Sequence, residues 1–227
     1  MKSNTDYENP KYQVHKYIKK IYDQNYIRDM NNNKIKLKSH ISPRERYHLY
    51  KLIKKFKIKK TLEVGCANGI STLYILSALH ENMKKSGNSA YNHTAIDPYQ
   101  TTQWNQAGLI NVRNSKMNDI FTLIEDKSYN VLPHLLQKFP KYYDMIFIDG
   151  FHTFDYTLID FFYSDLLLKI NGFIVIDDIR HKGVKKCLKY ILTNYKHYKL
   201  YKSSVSTMAT LRKVSDDNRA WDYHNDF

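Results

Sequence analysis

The chain has few cysteines and no long apolar run, and both absences narrow the kind of protein it can be. The 227 residues include two cysteines, Cys66 and Cys187, which is too few for a disulfide framework. No stretch reaches the length of about 18 apolar residues that a membrane-spanning helix needs. The first residues, Met-Lys-Ser-Asn-Thr-Asp, lack the apolar core of a signal peptide. We therefore expect a cytoplasmic protein with reduced thiols.

Two common phosphate-binding motifs are also missing. A dinucleotide site requires the spacing G-x-G-x-x-G, whereas Gly65 and Gly69 are four residues apart. A P-loop requires Gly-Lys-Ser or Gly-Lys-Thr at the start of its helix, and this chain has Gly-Ile-Ser at 69–71. The two glycines are therefore expected to form a different ligand-binding turn.

The stretch 62–72, Leu-Glu-Val-Gly-Cys-Ala-Asn-Gly-Ile-Ser-Thr, is the most informative part of the sequence. It predicts a strand ending at Val64, a glycine turn, and a helix over 70–80. Such a turn presents backbone amides and a helix N-terminus to a carboxylate or phosphate. The next predicted strand ends in Asp97, an acid placed to bind the two hydroxyls of a ribose. An amino-acid carboxylate beside a ribose is typical of S-adenosylmethionine (SAM).

Predicted strands and helices alternate along the chain, which favours a mostly parallel α/β sheet. The predicted strands are 60–64, 93–96, 121–125, 143–148, 173–176, 198–203 and 208–214. Apolar spacing predicts helices at 10–30, 42–56, 70–80, 131–139, 156–169 and 183–194, with a polar loop at 82–92. Ser42-Pro43 is a typical helix start, with Ser42 as the cap and Pro43 in the first turn.

Three carboxylates follow the fourth and fifth predicted strands: Asp149, Asp177 and Asp178. The carboxyl ends of adjacent parallel strands meet at one edge of a sheet, so these side chains should lie close together. Their mutual repulsion favours a cation between them, and carboxylate oxygens suit Mg²⁺. The alternative is that Asp177 and Asp178 only cap the next helix.

At these positions the chain resembles the class I SAM-dependent methyltransferases, whose first motif E-x-G-x-x-x-G matches 63–69. The stretch 143–178 is similar to the metal-dependent small-molecule O-methyltransferases, both the catechol type and the type that methylates macrolide sugars. The resemblance covers about residues 40–214. It implies an enzyme with a Rossmann-like α/β fold, a seven-stranded mostly parallel sheet and helices on both faces. The antiparallel last strand is expected between strands five and six.

The resemblance also implies a cofactor site and a metal site. The implied SAM-binding residues are Glu63, Gly65, Gly69, Ser71, Asp97 on the ribose, and Ser128 beside the adenine. The implied ligands of Mg²⁺, or of another divalent cation, are Asp149, Asp177 and Asp178.

The implied catalytic residues are Asp149 and His152. His152 stands where the catechol-type enzymes carry a catalytic lysine and is predicted to accept the proton of the acceptor hydroxyl. The alternative is that His152 only orients Asp149. The Asp177-Asp178 pair is closer to the sugar type, so the expected acceptor is a small hydroxylated molecule, most simply a sugar or nucleotide-sugar.

The charge balance leaves a second function class open. The formal net charge is +14, which attracts polyanions, although the lysines at 51–60 alternate with apolar residues as on the wet face of a helix. No glutamate follows Glu125, so the Lys-Asp-Lys-Glu tetrad of RNA 2′-O-methyltransferases cannot be completed. Nucleic acid is therefore disfavoured as a partner. The alternatives are an RNA-directed methyltransferase or a non-catalytic basic RNA-binding protein on the same fold.

Three segments are predicted along the chain. Residues 1–40 form a helical extension that serves as a lid or a dimer contact, 41–214 form the methyltransferase domain, and 215–227 form a polar tail. We expect a homo-oligomer.

Overall fold

The computed structural model describes residues 15–37, 41–87, 89–203 and 205–227. The chain divides into two compact units. The first is drawn from residues 1–59, 66–93 and 99–123, and the second from 60–65, 94–98 and 124–227. Residues 1–14 and 38–40 of the predicted extension lie outside the described residues.

The main sheet has seven strands. They are β3 (Lys60–Val64), β4 (Asn92–Ile96), β5 (Phe121–Ile124), β6 (Tyr143–Ile148), β7 (Leu168–Ile176), β8 (Tyr198–Leu200) and β9 (Ala209–Lys213). Their order in the sheet is β5-β4-β3-β6-β7-β9-β8. The pairs β3–β6 and β6–β7 are parallel, whereas β9 is antiparallel to both β7 and β8. The predicted fold class is therefore confirmed, including the antiparallel last strand between strands five and six.

Within the described residues, the first unit contains four α-helices and a small hairpin. They are α1 (Lys16–Gln24), β1 (Tyr26–Arg28), β2 (Lys34–Lys36), α2 (Pro43–Phe56), α3 (Ile70–Ser86) and α4 (Ala107–Ser115). Helix α2 begins with a capping box between Ser42 and Glu45 and has Pro43 in its first turn, as its sequence predicts. In this helix Leu52 and Ile53 are buried and Lys51 and Lys55 are exposed, as expected for a solvated lysine face. Lys54 departs from that expectation, because it is largely buried and its Nζ lies 3.0 Å from Glu81 Oε2.

Two predictions in the first unit were wrong. The helix predicted over 10–30 ends at Gln24, because Asn25 adopts a left-handed conformation (φ 56°) and the chain turns into the β1–β2 hairpin. The loop predicted from residue 82 is helical up to Ser86, where Gly87 (φ 62°) ends α3. In both places a single left-handed residue decides where the helix stops.

The second unit is built around the central strands β6 and β7 and the helices α5 (Ser128–Lys138), α6 (Phe154–Leu167) and α7 (Lys182–Asn194). Its core is apolar and almost fully buried, and it includes Leu62, Ile146, Phe161, Ile174 and Ile191. A strand covered on both faces is a nearly continuous apolar run, and β6 shows this pattern after Asp144 (Met-Ile-Phe-Ile, all buried).

The boundary between α6 and β7 differs from the prediction. The sequence predicts a helix to residue 169 that stops at Asn171-Gly172, but α6 ends at Leu167 and β7 begins with the next residue. Leu168 pairs with Tyr143, and the register of the two strands shifts between Tyr143 and Met145. Asn171 is left-handed (φ 70°), so the Asn-Gly pair forms an irregularity inside a strand instead of a helix stop.

Both cysteines, Cys66 and Cys187, are buried thiols. Among the residues that the structure describes, no helix combines the length and apolarity needed to cross a membrane. In the tail, Asn225 donates its backbone N–H to Oδ1 of Asn194 (2.7 Å), and Asn194 Nδ2 donates to the Asn225 carbonyl (3.0 Å).

Candidate active site

The predicted site residues of the second unit follow one another along the carboxyl edge of the sheet. Backbone hydrogen bonds continue one residue beyond each strand, with Asp97 N–H donating to the Ile124 carbonyl (3.1 Å) and Gly65 N–H to Ile96 (2.9 Å). The series continues with Asp149 N–H donating to Val64 (2.8 Å) and Asp177 N–H to Ile148 (3.0 Å). Asp97, Gly65, Asp149 and Asp177 therefore occupy consecutive places on one edge, which is where open α/β sheets bind ligands.

The Gly65 turn packs directly on the segment that carries Asp149. Gly65 has φ 92°, and a Cβ at this position would lie 2.1 Å from the Asp149 carbonyl oxygen. No other residue type fits, because both the backbone angle and the close approach require glycine. Glu63, two residues earlier in β3, is fully buried.

In the first unit, Gly69 and Ser71 stand at the start of α3. Gly69 is the N-cap in a left-handed conformation (φ 75°), and Ser71 is buried in the first turn. A Cβ at Gly69 would lie 3.0 Å from the Cα of Gly108 in α4. The position of the turn is therefore set by a close backbone contact.

Two polar side chains that the sequence did not reveal support this turn. Gln100 Nε2 donates to the Ala67 carbonyl (2.7 Å), and Asn111 Nδ2 donates to the Asn68 carbonyl (2.9 Å). Both side chains are buried. Amide side chains in a loop and a short helix form no recognisable motif, so only the fold brings them to the turn.

A cluster of oxygen and nitrogen donors lies beyond the ends of β6 and β7. One donor atom each from Asp149, His152 and Asp178 lies within 4.8 Å of the other two. The predicted ligand Asp177 is buried and is not a member of this group, and its Oδ1 accepts the backbone N–H of Asp178 (2.7 Å). The structure thus brings two of the three predicted carboxylates together with His152, and a metal role for Asp177 stays a prediction.

The electrostatic surroundings of His152 involve a second histidine. Burial lowers the pKa of His152, the Asp178 carboxylate raises it, and His181 lowers it further, with a net shift below the ordinary value. The rings of His152 and His181 stack at 4.9 Å between centroids. His181 was missed in the sequence because a histidine in a lysine-rich segment resembles an ordinary surface residue.

The predicted adenine-side residue Ser128 is the first residue of α5 and is bonded to a buried acid. Its hydroxyl makes a hydrogen bond to the carboxyl group of Asp160 in α6. Asp160 is 2% exposed, and burial raises its pKa to about 6. A Cβ at Gly150 would lie 3.5 Å from Asp160 Oδ2, so this carboxyl lies behind the Asp149-Gly150 turn.

Comparison with known proteins places this geometry in a family. A family model described as a methyltransferase domain matches residues 62–179, more than half of the chain. The chain belongs to this methyltransferase family. The match spans the glycine turn, the strand that ends at Asp149 and the Asp177-Asp178 pair. No curated protein matches the methyltransferase in sequence.

Solved structures share the fold of this methyltransferase at low sequence identity. An O-methyltransferase from Bacillus cereus in complex with SAH has a TM-score of 0.66 at 15% identity, over 87% of this chain and 91% of that one. SAH-bound Podospora anserina methyltransferase PaMTH1 gives 0.62 at 16% identity, over 78% and 80%. The O-methyltransferase TomG from Streptomyces achromogenes, in complex with SAM, gives 0.62 at 14%, over 78% and 82%.

The family match and these folds confirm the resemblance to class I SAM-dependent methyltransferases and the prediction that the chain is an enzyme of this class.

Proposed function

We propose that this methyltransferase transfers a methyl group from SAM to a hydroxyl of a small molecule and needs a divalent cation to do so. The observation that carries the proposal is the row of Asp97, Gly65, Asp149 and Asp177 along one edge of the sheet. In this row an acid suited to a ribose stands two places from an acid suited to a cation. A methyl donor bound at Asp97 and an acceptor bound to a cation at Asp149 would therefore lie side by side.

SAM is the proposed methyl donor. Solved structures with the same fold were obtained with SAH or SAM, which supports this choice. The residues proposed to bind it are those implied by the sequence motifs: Glu63, Gly65, Gly69, Ser71, Asp97 and Ser128. Gly65 has no side chain and can therefore approach the Asp149 backbone closely. Gly69 makes no side-chain cap hydrogen bond, so an anion could bind the first backbone amides of α3.

The residues after β6 and β7 fit a divalent cation. A bound cation would neutralise the negative charges of the Asp149 and Asp178 carboxylates. His152 adds a third donor atom within 4.8 Å of theirs. When bound, such an ion lowers the pKa of an acceptor hydroxyl. The chain's own contribution is to hold the ion and acceptor in line with the methyl donor. Mg²⁺ is the cation predicted from the sequence, with another divalent ion as the alternative.

The acceptor is proposed to be a sugar or a nucleotide-sugar. The support is the Asp177-Asp178 pair, which resembles the enzymes that methylate macrolide sugars more closely than the catechol type. The net charge of +14 would also attract the phosphates of a nucleotide-sugar.

The test is methyl transfer from radiolabelled SAM to a panel of nucleotide-sugars and free sugars, with and without a chelator. Asp149→Asn should lower turnover by a factor of roughly 100 or more while SAH affinity changes little, because the carboxylate acts on the cation and not on the donor. Asp119→Asn, at an exposed site, is the matched control. Turnover that is unaffected by both the chelator and Asp149→Asn would overturn the proposal. Transfer to RNA instead of sugars would favour the RNA-directed alternative.

A further inference from the structure

Two histidines approach the same carboxylate oxygen beyond the ends of β6 and β7. His152 Nε2 lies 3.3 Å from Asp178 Oδ2, and His181 Nε2 lies 3.8 Å from that oxygen. The two rings are nearly parallel, with an interplanar angle of 18°. Asp149 completes the group with a donor atom within 4.8 Å of those of His152 and Asp178. One histidine and two carboxylates therefore converge, and the second histidine, His181, approaches this group at Asp178.

The distances from the two histidines to Asp178 fit ligands of one ion. Two ligands bound at about 2.1 Å lie roughly 3.0 Å apart at a right angle and about 4.2 Å apart when opposite each other. The two histidine–carboxylate distances both fall in that interval. Each histidine ring directs its Nε2 toward the Asp178 carboxylate.

The backbone holds the histidines where they are. A Cβ at Gly183, in the first turn of α7, would lie 2.9 Å from the His152 carbonyl oxygen and 2.8 Å from the Phe154 nitrogen. The loop that carries His152 therefore packs against the helix whose N-cap is His181. Asp178 itself is left-handed (φ 53°), a conformation that costs a non-glycine residue about 1 kcal/mol or more. Such strain persists where the surrounding structure fixes it, and it is common at functional sites.

We propose that His152, His181, Asp149 and Asp178 bind a first-row transition-metal ion, such as Mn²⁺, Fe²⁺, Co²⁺ or Zn²⁺, in preference to Mg²⁺. Imidazole nitrogen is a good ligand for these ions and a poor one for Mg²⁺, which selects oxygen donors. His152 is then a metal ligand and not the proton acceptor that the sequence predicts. This inference rests on the proposed function only in placing the cation at Asp149.

Metal titration tests this inference without any acceptor. The full chain is freed of metal with a chelator, dialysed, and titrated by calorimetry with Mg²⁺ and with Co²⁺, whose visible absorption also reports its ligands. His181→Ala is the key variant, because the His181 side chain makes no cap hydrogen bond to α7 and its loss should leave the helix intact. His152→Ala is the second variant. His134→Ala, at an exposed histidine whose Nδ1 contacts the Asn130 carbonyl of its own helix, is the matched control.

We expect Co²⁺ to bind the wild type more tightly than Mg²⁺. Each of His181→Ala and His152→Ala should weaken Co²⁺ at least about 10-fold, with a change below about 2-fold for Mg²⁺. His134→Ala should match the wild type. Equal Co²⁺ affinity in His181→Ala and His134→Ala, or Mg²⁺ binding as tight as Co²⁺, would overturn the inference.

The same titration separates this inference from the proposed function. If Mg²⁺ binds and supports methyl transfer while the histidine variants bind cations normally, the proposed function stands and only the metal choice is wrong. If Co²⁺ binding depends on both histidines but no acceptor is methylated, the metal site stands and the proposed function fails.

Discussion

Lys213 and Asp165 form a buried ion pair that joins the last strand of the sheet to helix α6. Lys213 Nζ lies 3.0 Å from Asp165 Oδ1 and donates to the Asp165 backbone carbonyl at 2.8 Å, and both side chains are at most 6% exposed. Tyr198 donates its hydroxyl to the same carboxylate (2.8 Å), and His197 Nε2 lies 3.2 Å away. Burial would raise the pKa of Asp165, but His197, Lys213 and Tyr198 hold it below its ordinary value.

This network argues against metal binding at a second cluster of potential ligands. Asp165, His197 and Asp217 are close enough to hold a metal by distance alone. However, the Lys213 ammonium already occupies the Asp165 carboxylate, so a cation there would have to displace it. We therefore assign the cluster a structural role and expect its loss to destabilise the fold.

We predict that Lys213→Met destabilises the protein by about 3–5 kcal/mol, because it leaves the Asp165 charge buried without its partner. Lys199→Met, at an exposed lysine on the neighbouring strand β8, should change the free energy of unfolding by less than about 0.5 kcal/mol. Urea denaturation of the two variants and the wild type measures both values. Equal stability of the two variants would contradict the assignment.

Gly65→Ala should prevent folding or strongly lower the melting temperature. The new Cβ would meet the Asp149 carbonyl carbon and oxygen, at a positive φ that alanine adopts poorly. The matched control is Gly87→Ala, which also has a positive φ but no atom within 4 Å of its Cβ. Gly87→Ala should therefore lower the free energy of unfolding by only about 1 kcal/mol, the cost of a left-handed backbone conformation for alanine. Thermal unfolding followed by circular dichroism compares the two, and similar melting temperatures would show that the close approach is absent.

Asp160→Asn should stabilise the protein at alkaline pH and lose that advantage in acid. Burial raises the pKa of Asp160 from an ordinary 3.8 to about 6, and its Oδ1 has no hydrogen-bond partner among the described residues. The folded state therefore holds the proton more tightly than the unfolded chain, so the stability this group provides is complete below pH 3.8. It is lost as the pH rises to about 6.

Above that pH the ionised carboxyl costs on the order of 3 kcal/mol, which the neutral amide avoids. The measurement is urea denaturation of wild type and Asp160→Asn at pH 4, 6 and 8. Asp23→Asn, at an exposed acid, is the control and should follow the wild type at each pH. A stability difference that does not change with pH would show that Asp160 does not titrate as described.

The sequence predicted those parts of the fold that have a local signature. The glycine turn, the apolar strand before Asp149 and the Ser42-Pro43 helix start each depend on residues adjacent in the chain, and each was placed correctly. The wrong boundaries at Gln24, Ser86 and Leu167 depend on a left-handed residue or on strand pairing, which the local pattern does not encode. The start of β7 at Leu168, for example, coincides with its pairing to Tyr143, about 25 residues earlier in the chain.

The candidate site also combines residues that the local sequence suggests with residues that only the fold brings together. Asp149 and Asp178 could be predicted as candidates because each follows a buried strand, and the structure brings their side chains close to His152, while their roles stay predictions. His181, Asp160, Gln100 and Asn111 were missed because each is an ordinary residue type in an ordinary place. Their roles come from neighbours on other elements, such as Gly183 against the His152 loop.

The most direct measurement is calorimetric titration of SAH into the wild type, Asp97→Asn and the control Asp119→Asn. The account predicts saturable one-site binding to the wild type and to the control. Asp97→Asn should bind at least about 10-fold more weakly, because hydrogen bonds to a charged carboxylate are lost. A folded wild type that does not bind SAH, or an Asp97→Asn variant that binds it as tightly as the wild type, would contradict the account.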